Sequence, residues 1–99
     1  MDNTEKNKNS AVTLTLSGML DVKIAAKLEA EIMSELADTN KLLLDFKDVT
    51  YVSSSGLRVL LTCDKAAKEK GGKMTLINVS SFVMQIFTVT GFSSILSFK

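Results

Sequence analysis

In the middle of the chain, Lys41-Leu42-Leu43-Leu44-Asp45-Phe46 is short and nearly all apolar. A run of that kind suits a strand covered on both faces, as a central strand of a parallel sheet is. The segments around it are compatible with such a sheet. Ala11-Val12-Thr13-Leu14-Thr15-Leu16-Ser17 alternates apolar and hydroxylated residues, the period-two mark of a strand, and Gly18 is read as its end. Lys73 to Val79 reads as a third strand and Ile95 to Phe98 as a short fourth.

Helical spacing fills the intervals. Asp21 stands in N-cap position before a run of roughly residues 22–37, in which Ala25, Leu28, Ile32 and Leu36 form an apolar stripe. After a turn at Lys47-Asp48, Val49 to Val52 leads into Ser53-Ser54-Ser55-Gly56, and a second helix extends to about Lys70. Gly71-Gly72 stops it. Ser80 or Ser81 caps a third helix with Phe82, Val83, Ile86 and Phe87 as its stripe. Gly91 fits the left-handed position that follows. Strands alternating with helices predict an α/β fold, with a mainly parallel (mixed) sheet of about four strands and helices packed on it.

The chain's 99 residues hold one hydrophobic core. Residues 1–9 are read as a polar lead-in and residues 10–99 as the domain. The 12 basic and 11 acidic side chains leave a net charge of +1, so the basic excess of a nucleic-acid binder is missing. No stretch approaches the ~18 apolar residues of a membrane span, and no signal-peptide pattern opens the chain. A cytoplasmic location without membrane insertion is therefore expected. There is no histidine, which removes Ser-His-Asp and Cys-His catalysis and most zinc sites. The single cysteine, Cys63, can form no intramolecular disulfide and falls among apolar helical positions, where a small core residue is expected.

In open parallel sheets, sites lie beyond the carboxyl ends of the strands. Two segments fall there, Gly18-Met19-Leu20-Asp21 and Tyr51-Val52-Ser53-Ser54-Ser55-Gly56-Leu57. A serine before a helix commonly does no more than cap it. Three in a row exceed what one cap requires, which leaves one free to act as a phosphate acceptor. A serine nucleophile lacks its histidine base, and the glycine-serine-glycine pattern of a nucleophile elbow is absent. Lys70-Gly71-Gly72-Lys73 is no phosphate loop, because Met74 follows the lysine and the segment joins a helix to a strand. Asp21, Asp45 and Asp48 include no adjacent acidic pair of the kind that builds a magnesium site.

Asp45-Phe46-Lys47-Asp48-Val49-Thr50-Tyr51-Val52-Ser53-Ser54-Ser55-Gly56-Leu57 resembles the signature of STAS domains, specifically of the anti-sigma factor antagonists. Gly18-Met19-Leu20-Asp21 is similar to that family's Gly-x-Leu-Asp element. Gly71-Gly72 and Thr90-Gly91-Phe92 also fall in register, so the resemblance runs from about Ala11 to Phe98. It implies a bacterial, non-enzymatic phosphoprotein without cofactors. Unphosphorylated, such a protein binds an anti-sigma factor that is also a serine kinase, and so releases a sigma factor or another regulator. Phosphorylation ends binding, and a metal-dependent serine phosphatase resets the cycle. The family's acceptor lies two positions before the motif glycine, which is Ser54 here, with Ser53 and Ser55 as the other choices. Three departures stand out. Ser53 replaces the family's usual aspartate, the first strand of its hairpin is barely present in residues 1–9, and its C-terminal helix has no counterpart after Lys99. The alternative reading keeps the fold and makes the chain a stand-alone STAS subunit regulating an ABC-type lipid transporter.

From that resemblance and the geometry of the second helix, Asp21, Ser53, Ser54, Ser55, Gly56, Leu57, Arg58 and Leu61 are the candidate partner-binding residues. Asp21 also has its simpler role as a cap. At ~100° per residue, Arg58, Thr62, Lys65 and Glu69 share the outward stripe of the second helix, while Leu60, Cys63 and Ala67 lie opposite. Leu57 and Leu61 fall on the shoulder between. They are either partner anchors or covered by a neighbouring loop or helix end.

Overall fold

The order of the strands in the sheet determines where the helices lie. The computed structural model describes residues 10–99, so the expected lead-in at 1–9 lies outside the described residues. The elements are β1 (Ala11–Leu20), α1 (Ala25–Asp38), β2 (Lys41–Val52), α2 (Ser54–Glu69), β3 (Lys73–Ile77), α3 (Ser81–Val89), a 3-10 turn at Phe92–Ser94 and β4 (Ser97–Phe98). The four strands stand side by side in chain order, and every pairing is parallel. Right-handed crossovers between successive neighbours carry all the helices to one face of the sheet. The α/β class and helix-covered parallel sheet expected from the sequence are both present.

Register explains which face is buried. Val12, Leu42 and Met74 form one row across the sheet, and Leu14, Leu44, Leu76 and Phe98 the row two residues on. Leu42, Leu44, Met74 and Leu76 are fully buried. Burying each such side chain contributes about 1.5–3 kcal/mol. The intervening row, Thr13, Leu43, Thr75 and Ser97, points the other way and is exposed or half-buried. The expectation that the central strand is covered on both faces is therefore corrected. Leu43 is flanked by two threonines and stays half-buried, so a face of this composition can meet water.

Other boundaries also differ from the sequence reading. The chain does not turn at Lys47-Asp48, because β2 runs unbroken to Val52. Gly18 does not end β1 but lies within it, at φ +72, beside two register shifts that separate Thr15 from Ser17 and Gly18 from Met19. Such bulges twist a strand and re-aim its side chains. Here Leu16 and Leu20 still reach the core alongside Val49 and Val52. The long β1–β2 arm delivers both segments singled out above to the same end of the sheet.

Phe87 anchors α3. Its ring centroid lies 6.0 Å from that of Phe46 and 5.2 Å from that of Phe98, the latter edge-on. Phe82, assigned by spacing to the same stripe, is 59% exposed. Five residues of helix turn it about 140° away from Phe87, too far to share a buried face in so short a helix. Ser80 caps α3 by accepting from the Val83 N–H at 3.2 Å.

At the carboxyl end of the paired β2–β3 segment, Asp45 Oδ1 accepts from the Lys47 backbone N–H at 3.0 Å and from Asn78 Nδ2 at 3.1 Å. Asn78 holds the left-handed conformation, φ 57, that asparagine tolerates better than most residues. These bonds favour the charged carboxylate, the Lys47 N–H first and the Asn78 amide second, and hold Asp45 below its ordinary value of 3.8. A depressed native pKa stabilises the fold at pH above the unfolded value, and that contribution disappears as pH falls through the native one. Denaturant unfolding of wild type and Asp45→Asn should therefore differ most at neutral pH, with the gap closing below about pH 3.8.

Candidate functional site at the start of the second helix

The three serines of the motif occupy three different environments. Ser53 is the N-cap of α2, with extended backbone at φ −85 and ψ 176. Its Oγ accepts from the Gly56 N–H at 3.4 Å and donates to the Leu20 carbonyl at 3.2 Å. Its own backbone N–H donates to the same carbonyl at 3.0 Å. Ser54, the first helical residue, is exposed, and among the described residues its hydroxyl has no hydrogen-bond partner. Ser55 is half-buried.

Ser53 can serve this junction because a hydroxyl both donates and accepts. An ionised aspartate, the residue more usual here in the resembling family, only accepts and could not donate to the Leu20 carbonyl. The substitution therefore adds a direct side-chain tie between the end of β1 and the start of α2.

Gly56 lets that junction close. A Cβ built on it would lie 2.4 Å from the Leu20 carbonyl oxygen and 3.0 Å from Val52 Cγ1. Gly56 is buried and Leu57 is 6% exposed, so both act chiefly by packing. This settles the position of Leu57 in favour of cover by neighbouring structure. Leu61 is half-buried, and Arg58 is exposed.

Ser54, Leu57, Arg58 and Leu61 line one shallow cavity of about 340 Å³, completed by Thr90 and Phe92. The last two come from the Thr90-Gly91-Phe92 element, whose nearness to the serine motif no local spacing could reveal. The segment that follows this wall is tied to α2. Lys68 pairs with buried Asp64 at 2.8 Å and reaches the Ile95 carbonyl at 3.5 Å.

Asp21 is not the N-cap of α1. The helix starts at Ala25, its cap position is taken by Ile24 without a side-chain bond, and residues 22–24 form a turn. Asp21 Oδ1 accepts from the Lys23 N–H at 3.0 Å, and its carbonyl accepts from the Ile24 N–H at 3.2 Å. It shapes the turn directly after Leu20, the residue that anchors Ser53. Around this turn, Met19, Val22 and Tyr51 are exposed apolar side chains, with Met19 and Tyr51 paired across β1 and β2. Met19 and Tyr51 belong to the two segments singled out from the sequence, but their exposure and pairing could not be read there.

Cys63 is fully buried, and burial chiefly, with Glu29 adding to it, pushes its thiol up to about 12. It is neutral at ordinary pH and poorly suited to nucleophilic work. Among the described residues no group of three His, Cys, Asp or Glu side chains is placed to hold a metal ion. No helix among them is long and apolar enough to cross a membrane.

A parallel sheet with helices on one face, and a serine motif capping the helix that leaves its longest strand, place the chain within a known class. Residues 3–99 match the STAS domain family, and the chain belongs to it. The anti-sigma-B factor antagonist of Bacillus subtilis is 29% identical over 91 residues, which span 92% of this chain and 84% of that protein. BtrV of Bordetella bronchiseptica, described as an anti-sigma factor antagonist, is 32% identical over 81 residues, or 81% of this chain and 70% of BtrV. In three dimensions the fold resembles that of the anti-sigma factor antagonist SpoIIAA in its unphosphorylated form. That likeness has a TM-score of 0.76 at 20% identity and covers 94% of this chain and 82% of SpoIIAA. SpoIIAA in its phosphorylated form gives 0.67 at 20% identity, over 90% and 82%.

Alanine favours a helix over glycine by about 1 kcal/mol, yet Gly56→Ala should destabilise this chain by about 1–3 kcal/mol, because the new methyl meets backbone. Ser53→Ala should cost about 1 kcal/mol as a lost cap. Urea unfolding measures both, and a stabilised Gly56→Ala would show that the junction is looser than described.

Proposed function

We propose that this chain is an anti-sigma factor antagonist that works by partner switching under control of a phosphate on Ser54. The observation that carries the reading is the division of labour among the serines. Ser53 closes the cap, which leaves Ser54 exposed with an unengaged hydroxyl on the first turn of α2. The names of the relatives support the same reading, as does the existence of SpoIIAA in unphosphorylated and phosphorylated forms.

In the proposed cycle the unphosphorylated chain binds an anti-sigma factor that is also a serine kinase. Binding frees a sigma factor or another regulator. The kinase transfers the γ-phosphoryl group of its ATP to Ser54 Oγ, which gives up its proton while ADP departs. The added charge of about −2 lies at the contact surface and must be desolvated or repelled for the partner to stay. A metal-dependent serine phosphatase hydrolyses the ester and returns the chain to its binding form. This protein is substrate and ligand throughout and performs no catalysis itself.

Ser54→Ala should bind the kinase and resist release by ATP, while Ser54→Asp should bind about tenfold more weakly or worse. Calorimetry with the kinase reads both effects, and mass spectrometry of the chain from its host reads the modified residue. Phosphate on Ser53 or Ser55 and never on Ser54 would overturn the assignment. Capture of a transporter ATPase or permease in place of a kinase would replace the proposed partner.

Leu61 tests the docking surface. As a half-buried residue beside Ser54 it should accept Leu61→Asp with a folded, cooperatively melting chain, and lose kinase binding. A mutant that folds and binds normally would move the interface elsewhere.

A further inference from the structure

Arg58 stands one helical turn beyond Ser54, and the two line the same cavity. Positions four apart on a helix are neighbours. Helical side chains also lean toward the N-terminus, so a long arginine side chain at position 58 can reach back over the turn that carries Ser54. Among the described residues nothing else claims the guanidinium. The positions three and four away from Arg58 are Ser54, Ser55, Leu61 and Thr62, none of them acidic. Among the described residues Arg58 has neither an ion pair nor a hydrogen bond. The acid of its own helix nearest in sequence, Asp64, is already paired with Lys68.

The rest of the cavity offers no competitor. Leu57, Leu61 and Phe92 are apolar, and the Thr90 hydroxyl donates to the Ile86 carbonyl at 2.7 Å. Among the described residues that line the cavity, Arg58 is the only one with a charged side chain.

We infer that Arg58 is the internal receptor for the Ser54 phosphate: once Ser54 is phosphorylated, the guanidinium folds back along α2 and grips the phosphate oxygens within the same chain. The inference rests on the reading of Ser54 as the acceptor and adds to it a regulatory residue. Arginine suits the task because its planar fork can make two parallel hydrogen bonds to a phosphate, which the point charge of lysine does not match. The grip has two consequences. It draws the cavity's one cation away from any partner, and it stabilises the phosphorylated chain as a separate species.

The test is a double-mutant cycle on the full chain with phosphoserine installed at position 54 during synthesis. Because the modification is made chemically, the result does not depend on which serine the host kinase selects. Phosphate found elsewhere in the host would defeat the functional reading while leaving this measurement intact. Arg58→Gln should lower the melting temperature of the phosphorylated chain by about 2–4 °C more than that of the unphosphorylated chain, the size expected for one i,i+4 ion pair in a domain of this length. Arg58→Lys should recover part of that difference. The Arg58 Nε–Hε resonance should shift on phosphorylation. A merely structural role for Arg58 would lower both melting temperatures equally. That outcome, or an unmoved resonance, would overturn the inference.

Discussion

The end of this molecule that carries the candidate site is organised around one backbone oxygen, the carbonyl of Leu20. It ends β1 and receives both the backbone N–H and the hydroxyl of Ser53. The absence of a side chain at Gly56 lets α2 come within contact distance of it. Leu20 itself is buried at 1% exposure, so the carbonyl is held by a side chain that cannot move without opening the core. The start of α2 is thereby fixed to two strands at once, to β1 through these bonds and to β2 through the chain itself. Anything presented on the first turn of α2 is presented from a rigid base.

Much of the fold was legible because periodicity is a local property. The stripes of Leu28, Ile32 and Leu36 and of Leu60, Cys63 and Ala67 are buried as their spacing indicates. Two of the failures, at Gly18 and at the central strand, depended on something distant along the chain, whereas the late start of α1 is a local matter. Gly18 looks like a strand end until β2 is seen to continue beside it through two register shifts. Asp21 has the right chemistry for a cap, but Val22 to Ile24 are spent on a turn and the helix begins later. The central apolar strand looked doubly covered because its own residues say nothing of Thr13 and Thr75 on either side of Leu43.

The candidate site divides in the same way. The serine motif and its glycine could be read directly, and so could the outward position of Arg58. The shoulder position of Leu57 and Leu61 followed from helix geometry, but the burial of Leu57, the half-burial of Leu61 and the cavity that both share with Thr90 and Phe92, some thirty residues later, did not. That segment has its own fastening. The buried Asp64 carboxylate would be costly alone. Its partner Lys68 also reaches the Ile95 carbonyl, so one pair serves both α2 and the chain that follows Phe92. The cavity is thus assembled from two distant segments, and the chain just beyond the second is tied to α2 by this bond.

This arrangement bears on why one serine of three suits a reversible charge. A phosphate on Ser53 would remove the hydroxyl proton that now bonds to Leu20 and set negative charge against that carbonyl, so the modification would work against the fold. Half-buried Ser55 offers a larger group less room. At Ser54 no hydrogen bond among the described residues would be given up, and under the proposed reading a new charge would meet water, the N–H groups of the first turn and Arg58. A switch that must be set and reset many times needs two states of nearly equal integrity that differ at the surface. With Ser54 as the proposed acceptor, the energetic difference would fall on the contact with the partner rather than on the stability of the domain.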